Sequence, residues 1–172
     1  MRAGAVVFGD GVPIDTIMAA AVAGLRRDGI AVAGLLQRFG AGRAGCRREM
    51  WVEDVAGATC YRIDQDLGPG AVGCVLDEGG LGVAAAALRR AAGSAAEVAV
   101  VNRFGKSEAA GRGLRDEIAA ILMAGMPLLI AVRDDLVADW EAFIGQRATV
   151  LAADAGAIRA WARDVVRPDV PA

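Results

Sequence analysis

Lys106 is the only lysine of the chain and stands in a Gly-Lys-Ser step within VVNRFGKSEAAGRGLRDEI, residues 100–118. A second glycine turn, Gly111-Arg112-Gly113, follows it, and Arg115 opens the amphipathic run beyond. Lysine is a compact charge with three donors and arginine a planar fork of donors, so cations in glycine-flanked turns suit phosphate-like oxygens. The N–H groups of a helix starting near Leu114 point back at the same loop, and Asn102 precedes it at the end of an apolar strand. Arginine in the first turn of a helix opposes the dipole, and Asp116 and Glu117 are the expected offset. The carboxylates of Asp10, Asp15 and Glu108 are those that would give a magnesium ion its one or two protein ligands, with water and phosphate oxygens completing the shell.

A second candidate loop, Gly9-Asp10-Gly11-Val12-Pro13-Ile14-Asp15-Thr16, follows the first apolar run. Laid on the phosphate-binding pattern G-x-x-x-x-G-K-[ST], it keeps the first glycine and the hydroxyl at Thr16. Ile14 replaces the second glycine and Asp15 replaces the lysine. Backbone N–H groups around Gly9 and Gly11 remain available to an anion. Asp15 has an ordinary explanation too, because acids favour the first turn of a helix. A third loop is expected after the second strand, where Gln37 and Arg38 would face the same edge.

Composition removes several chemistries. Histidine is absent, which excludes Ser-His-Asp and Cys-His mechanisms and His-ligated zinc. Cys46, Cys60 and Cys74 are three, evenly spaced and without a close pair, a poor disulfide or zinc set. The net charge of −2 speaks against a nucleic-acid or anionic-membrane binder. No signal peptide is recognisable at the start, no apolar run reaches the roughly 18–20 residues of a membrane helix, and the expected place is the cytoplasm.

The chain alternates strand and helix signals. Ala5–Phe8, Ile30–Leu36, Glu97–Val101, Pro127–Val132 and Thr149–Ala152 are the expected buried strands. Helical spacing runs from Ile14 to Leu25, from Leu81 to Ala92, from Leu114 to Leu122 and from Ile158 to Val165. Gly40–Gly45 is a small-residue loop, Met50–Val55 and Thr59–Ile63 flank Ala56-Gly57-Ala58 as a β-hairpin, and Gly68-Pro69-Gly70 is another turn. The expectation is one α/β domain over residues 1–172, three layers with a mostly parallel sheet and a hairpin inserted at about 46–64. Trp51, Trp140 and Trp161 are expected as core or interface anchors. Small apolar residues such as those in Ala84–Ala87, if exposed, offer a homodimer surface.

The stretch Val98-Ala99-Val100-Val101-Asn102-Arg103-Phe104-Gly105-Lys106-Ser107-Glu108, continued by Gly111 to Ile118, resembles the signature of the bacterial domain of unknown function 2478. Phe8 to Gly11 with Ile14-Asp15, and Gly73-Cys74 to Leu76-Asp77, fit the same family. The resemblance implies a P-loop-derived fold without a settled activity. Some members resemble, by gene context, accessories of molybdate uptake or use. More distantly, the chain is similar to small P-loop nucleoside-triphosphatases, which follow the second strand with a hairpin and carry a strand ending Asp-Glu-x-Gly-Lys-x-Glu. Gly105, Lys106 and Glu108 match that pattern, whereas its two acids stand here as Asn102 and Arg103.

Three functions follow. The first is a binding protein for a phosphate-like anion, a nucleotide or a molybdate-type oxyanion, with little turnover. Its contacts would be Gly9, Asp10, Gly11, Thr16, Arg38, Asn102, Lys106, Arg112 and Arg115. The second is an unconventional magnesium-dependent nucleoside-triphosphatase, with Thr16 and Asp10 or Asp15 on the metal and Glu108 orienting water. The third is a non-catalytic partner-docking protein. Loss of both the lysine and the two catalytic acids favours binding over phosphoryl transfer, which depends on positioned cations and a metal.

Overall fold

The computed structural model describes residues 2–39, 49–64 and 78–167. Strand β1 (Ala3–Phe8) leads into helix α1 (Ile14–Arg27), and β2 (Val32–Phe39) precedes the hairpin β3 (Met50–Asp54) and β4 (Thr59–Arg62). Helix α2 (Glu78–Ala92), strand β5 (Val98–Phe104), the single turn α3 (Lys106–Ala109) and α4 (Arg115–Met123) follow. Then come β6 (Leu128–Arg133), a 3-10 turn (Asp134–Leu136), α5 (Val137–Ile144), β7 (Thr149–Leu151) and α6 (Ala155–Val166). The expected strands and long helices are present. The helical turns at α3 and α5 were not anticipated.

The seven strands form one sheet in the order β4-β3-β2-β5-β6-β1-β7. β2, β5, β6, β1 and β7 are mutually parallel, and the hairpin adds an antiparallel edge through Leu35–Asp54 to Phe39–Met50. Helices cover both faces, an architecture compatible with a P-loop-NTPase-like fold. The central strands read as continuous apolar runs because both of their faces are buried. Alternate residues divide accordingly. Ala5, Val101, Leu128, Ile130 and Val132 meet α2, α4 and α5 through Leu88, Ile121 and Trp140. Val6, Val100, Leu129 and Ala131 meet α1 and α6 through Met18, Leu25 and Ile158.

Local signals set the boundaries of α1. Pro13 stands just before its first turn, Asp15 lies within that turn, and Arg26 and Arg27 close the last one, a charge order that follows the helix dipole. Gly29, at φ +74°, then ends the helix in the left-handed conformation. Trp140 is fully buried, with Phe104 edge-on at 5.3 Å and Phe143 at 5.7 Å. Truncating such a ring costs about 3–5 kcal/mol.

The hairpin is pinned to the body. Asp54 accepts from Ala56 N–H at 3.0 Å within its turn and from Arg90 of α2 at 3.1 Å, and Arg26 of α1 donates to the Val55 carbonyl. Two expectations are corrected here. Ala84, Ala85 and Ala87 are buried on the inner face of α2 rather than exposed, so they offer no dimer surface. Gln37 and Arg38 lie within β2 rather than in a loop after it. Cys60 is exposed on β4, whereas Cys46, Cys74 and the turns at 40–45 and 68–70 fall outside the described residues. Among the described residues no helix is long and apolar enough to cross a membrane.

Candidate functional site

In a parallel sheet the loops beyond the carboxyl ends of the strands meet helix N-termini, and ligands bind there. β6 lies between β1 and β5, so the loops after these three strands share one edge. On β1 the register pairs Phe8 with Arg133, which sets Gly9 and Asp10 beside Arg133, Asp134 and Asp135. Arg133 sits 3.3 Å from Asp10 and 3.0 Å from Asp135. The hydrogen bond to Asp135 first, then the charges of Asp135, Asp10 and Asp134, hold the Arg133 guanidinium above its ordinary pKa. The Asp134 carboxylate also lies against Gly9, where an added Cβ would come within 2.9 Å of its Oδ2. Within the loop, Val12 N–H donates to the Gly9 carbonyl and Ile14 N–H to the Val12 carbonyl. Asp10, Asp134 and Asp135 therefore gather around Arg133 and Gly9 at this edge.

Asp15 is the centre of a second group. Asn102 Nδ2 donates to Asp15 Oδ1 at 2.6 Å, and Arg103 Nη2 donates to the same oxygen at 2.9 Å. The register between β5 and β6 shifts between Val101 and Phe104, and both intervening side chains end on α1. The Arg103 guanidinium also lies 5.2 Å from the centre of the Phe8 ring. Asn102 Oδ1 and Arg103 Nε are buried without a hydrogen-bond partner. The carboxylate of α1 and the amide and guanidinium at the end of β5 thus meet across the two elements.

The loop after β5 is built around Glu108, which is 7% exposed. Its Oε2 accepts from Gly105 N–H at 2.9 Å and its Oε1 from Leu114 N–H at 3.0 Å. Both oxygens face backbone, which engages the carboxylate in closing the loop. Arg115 donates to the Glu108 carbonyl at 2.8 Å and stacks 4.3 Å above the Phe143 ring. That stack and bond offset its place at a helix N-terminus. Glu117 instead binds Arg89 at 2.5 Å. Lys106 and Arg112 are exposed and form no ion pair among the described residues.

The expected residues therefore separate into groups. Gly9, Asp10 and Gly11 join an acidic rim, and Asn102 joins Asp15. Thr16 is exposed on the first turn of α1. Arg38 is held on the hairpin by Glu53 at 2.6 Å. Sequence reasoning missed Arg133, Asp134 and Asp135, although an Arg-Asp-Asp run directly after an apolar strand satisfied the rule that singled out the other loops. It also missed Phe143, whose role depends on the unforeseen α5.

The family model for a protein of unknown function, DUF2478, matches residues 3–161. The chain belongs to the DUF2478 family. It is also similar to a molybdenum import ATP-binding protein, ModC 2, of Bradyrhizobium diazoefficiens (strain JCM 10833 / BCRC 13528 / IAM 13628 / NBRC 14792 / USDA 110), at 37% identity over 163 residues. That match takes in 95% of this DUF2478 chain and 18% of the relative, so the chain spans less than a fifth of that protein's length. No solved structure matches.

Proposed function

We propose that this chain is a binding module for a phosphate-like oxyanion, a nucleotide phosphate or a molybdate-type anion, with little nucleotide turnover. The carrying observation is the contact of Asp15 with Asn102 and Arg103 at 2.6 and 2.9 Å. The residues that would neutralise a triphosphate and orient water in P-loop chemistry are replaced by a group whose charges are spent internally. What is left for a ligand at that edge is Lys106 and Arg112, exposed on a loop that Glu108 closes. Fixed loops carrying free cations bind oxyanions without a large ordering penalty.

The molybdenum-import name of the relative makes molybdate the first ligand to try. That name describes a whole protein of which this chain matches 18%. The test is a thermal-shift series with molybdate, tungstate, sulfate, phosphate, ADP and ATP, followed by phosphate-release measurements with ATP. A ligand at a hundred times its dissociation constant adds about 2.7 kcal/mol, several degrees in a domain of this size. Stabilisation by one oxyanion class without phosphate release supports the reading. Steady ATP hydrolysis that disappears on substituting Asp15 would replace it with the triphosphatase, and no shift with any anion would leave the docking protein.

A further inference from the structure

A P-loop-like architecture implies a magnesium ion beside β1 and β5, held by the hydroxyl that ends the loop and by an acid on β5. The residues present do not fit that ion. Thr16 offers the hydroxyl, but β5 offers the amide of Asn102 and the guanidinium of Arg103. Arg103 Nη2 stands 2.9 Å from Oδ1 of Asp15, the carboxylate of the first turn of α1. A fixed cation thus already partners the carboxylate that a metal would use. Glu108 is engaged by two backbone N–H groups, and Asp10 faces Arg133. Among the described residues no group of three Asp, Glu, Cys or His side chains comes together as a metal site.

The oxyanion of the proposed function is then left to Lys106 and Arg112, exposed on the adjoining loop. Arg103 Nε and Asn102 Oδ1, on a residue 3% exposed, are covered by the protein and have no hydrogen-bond partner. A magnesium-complexed anion would bring a divalent cation toward the Arg103 guanidinium.

We infer that Arg103 has taken over the charge a divalent metal carries in P-loop chemistry, so that the site excludes such a metal and takes its oxyanion uncomplexed. This rests on the oxyanion-binding reading above and narrows it to free anions over magnesium nucleotides.

The test titrates the purified chain with manganese alone, followed by its electron paramagnetic resonance signal. Molybdate and phosphate titrations are then repeated in chelator and in millimolar magnesium. The expected result is no saturable manganese site and anion affinities that agree within about twofold between the two conditions. One-site manganese binding that is lost in Asp15→Asn, or an anion affinity that rises tenfold with magnesium, overturns the inference. Arg103→Glu, which sets a second carboxylate beside Asp15, should acquire manganese binding. If that variant does not fold, the wild-type titrations decide. Failure of every anion to bind, with manganese also excluded, would remove the oxyanion reading while upholding the exclusion of metal.

Discussion

Arg103 Nη2 on β5 lies 2.9 Å from Asp15 Oδ1 on α1, a contact between residues 88 positions apart in the chain. Both side chains are about three-quarters buried, so the pair is shielded more than a surface ion pair. Asp15→Ala leaves two donors, those of Asn102 and Arg103, without their acceptor, and should cost about 1–3 kcal/mol. Asp15→Lys should cost more, because it sets two cations together. Combining Asp15→Lys with Arg103→Glu should recover at least half of the Asp15→Lys loss in urea unfolding. Strictly additive losses would show that the contact carries no coupling.

Glu108 and Gly113 form a second dependent pair. Gly113 has φ +66°, and a Cβ there would collide with Glu108 Oε1. Gly113→Ala should therefore destabilise the wild type by about 1–3 kcal/mol. In a Glu108→Ala background the collision with the carboxylate is gone, leaving the backbone preference and a 3.1 Å approach to Ser107 Cβ, so the added loss should shrink by half or more. Equal losses in the two backgrounds would refute the clasp.

The loop cations should divide by their contacts. Lys106→Ala and Arg112→Ala should leave stability within about 0.5 kcal/mol of wild type, because both side chains are exposed. Each should weaken oxyanion binding about tenfold, close to 1.4 kcal/mol. Arg115→Ala should instead lower the melting temperature, because Arg115 covers Phe143 and binds the Glu108 carbonyl. Calorimetric titration beside thermal melts separates the two behaviours.

Asp28 gives a pH signature. The hydrogen bond from Arg163, followed by the bond and charge of Arg159, holds its carboxyl below the ordinary aspartate pKa against the opposing effect of desolvation. A depressed folded-state pKa stabilises the fold above the unfolded-state value, near 3.9, and that stability is lost as pH falls through the folded value. Asp28→Asn should melt below wild type at pH 6, with the gap closing as pH falls below about 4. A gap independent of pH would assign the loss to packing.

Gly34 tests the sheet itself. It sits in β2 at φ +119°, and a Cβ would collide with the Val100 carbonyl of β5. Gly34→Ala should cost at least about 3 kcal/mol or prevent folding, by backbone strain together with separation of two buried strands. Near-native stability would mean that the two strands part more easily than their register indicates.

Strand and helix content was legible because it is local. Strands buried on both faces must be apolar without interruption, which marked the expected strands Glu97–Val101 and Pro127–Val132, and a stripe at helical spacing marked α1 and α6. The glycine turn at Ala56–Ala58 marked the hairpin. The helix α5 escaped notice because it spans only eight residues after a 3-10 turn, too short a run for the spacing of its inward face, Val137, Trp140, Phe143 and Ile144, to stand out.

The sequence alone determined which charges exist at the carboxyl edge, the absence of histidine chemistry, and that Asp15, Asn102 and Arg103 stand where the P-loop resemblance would put a lysine and two acids. Only the tertiary structure decided which of those charges cancel. Asp15 is spent on Arg103, Glu108 on backbone N–H groups, Arg38 on Glu53 and Arg115 on Phe143, which leaves Lys106 and Arg112 free of ion pairs among the described residues. The physical reason is strand order. Placing β6 between β5 and β1 and folding α1 over the adjacent face brings distant residues within hydrogen-bond reach, and no local periodicity encodes that approach.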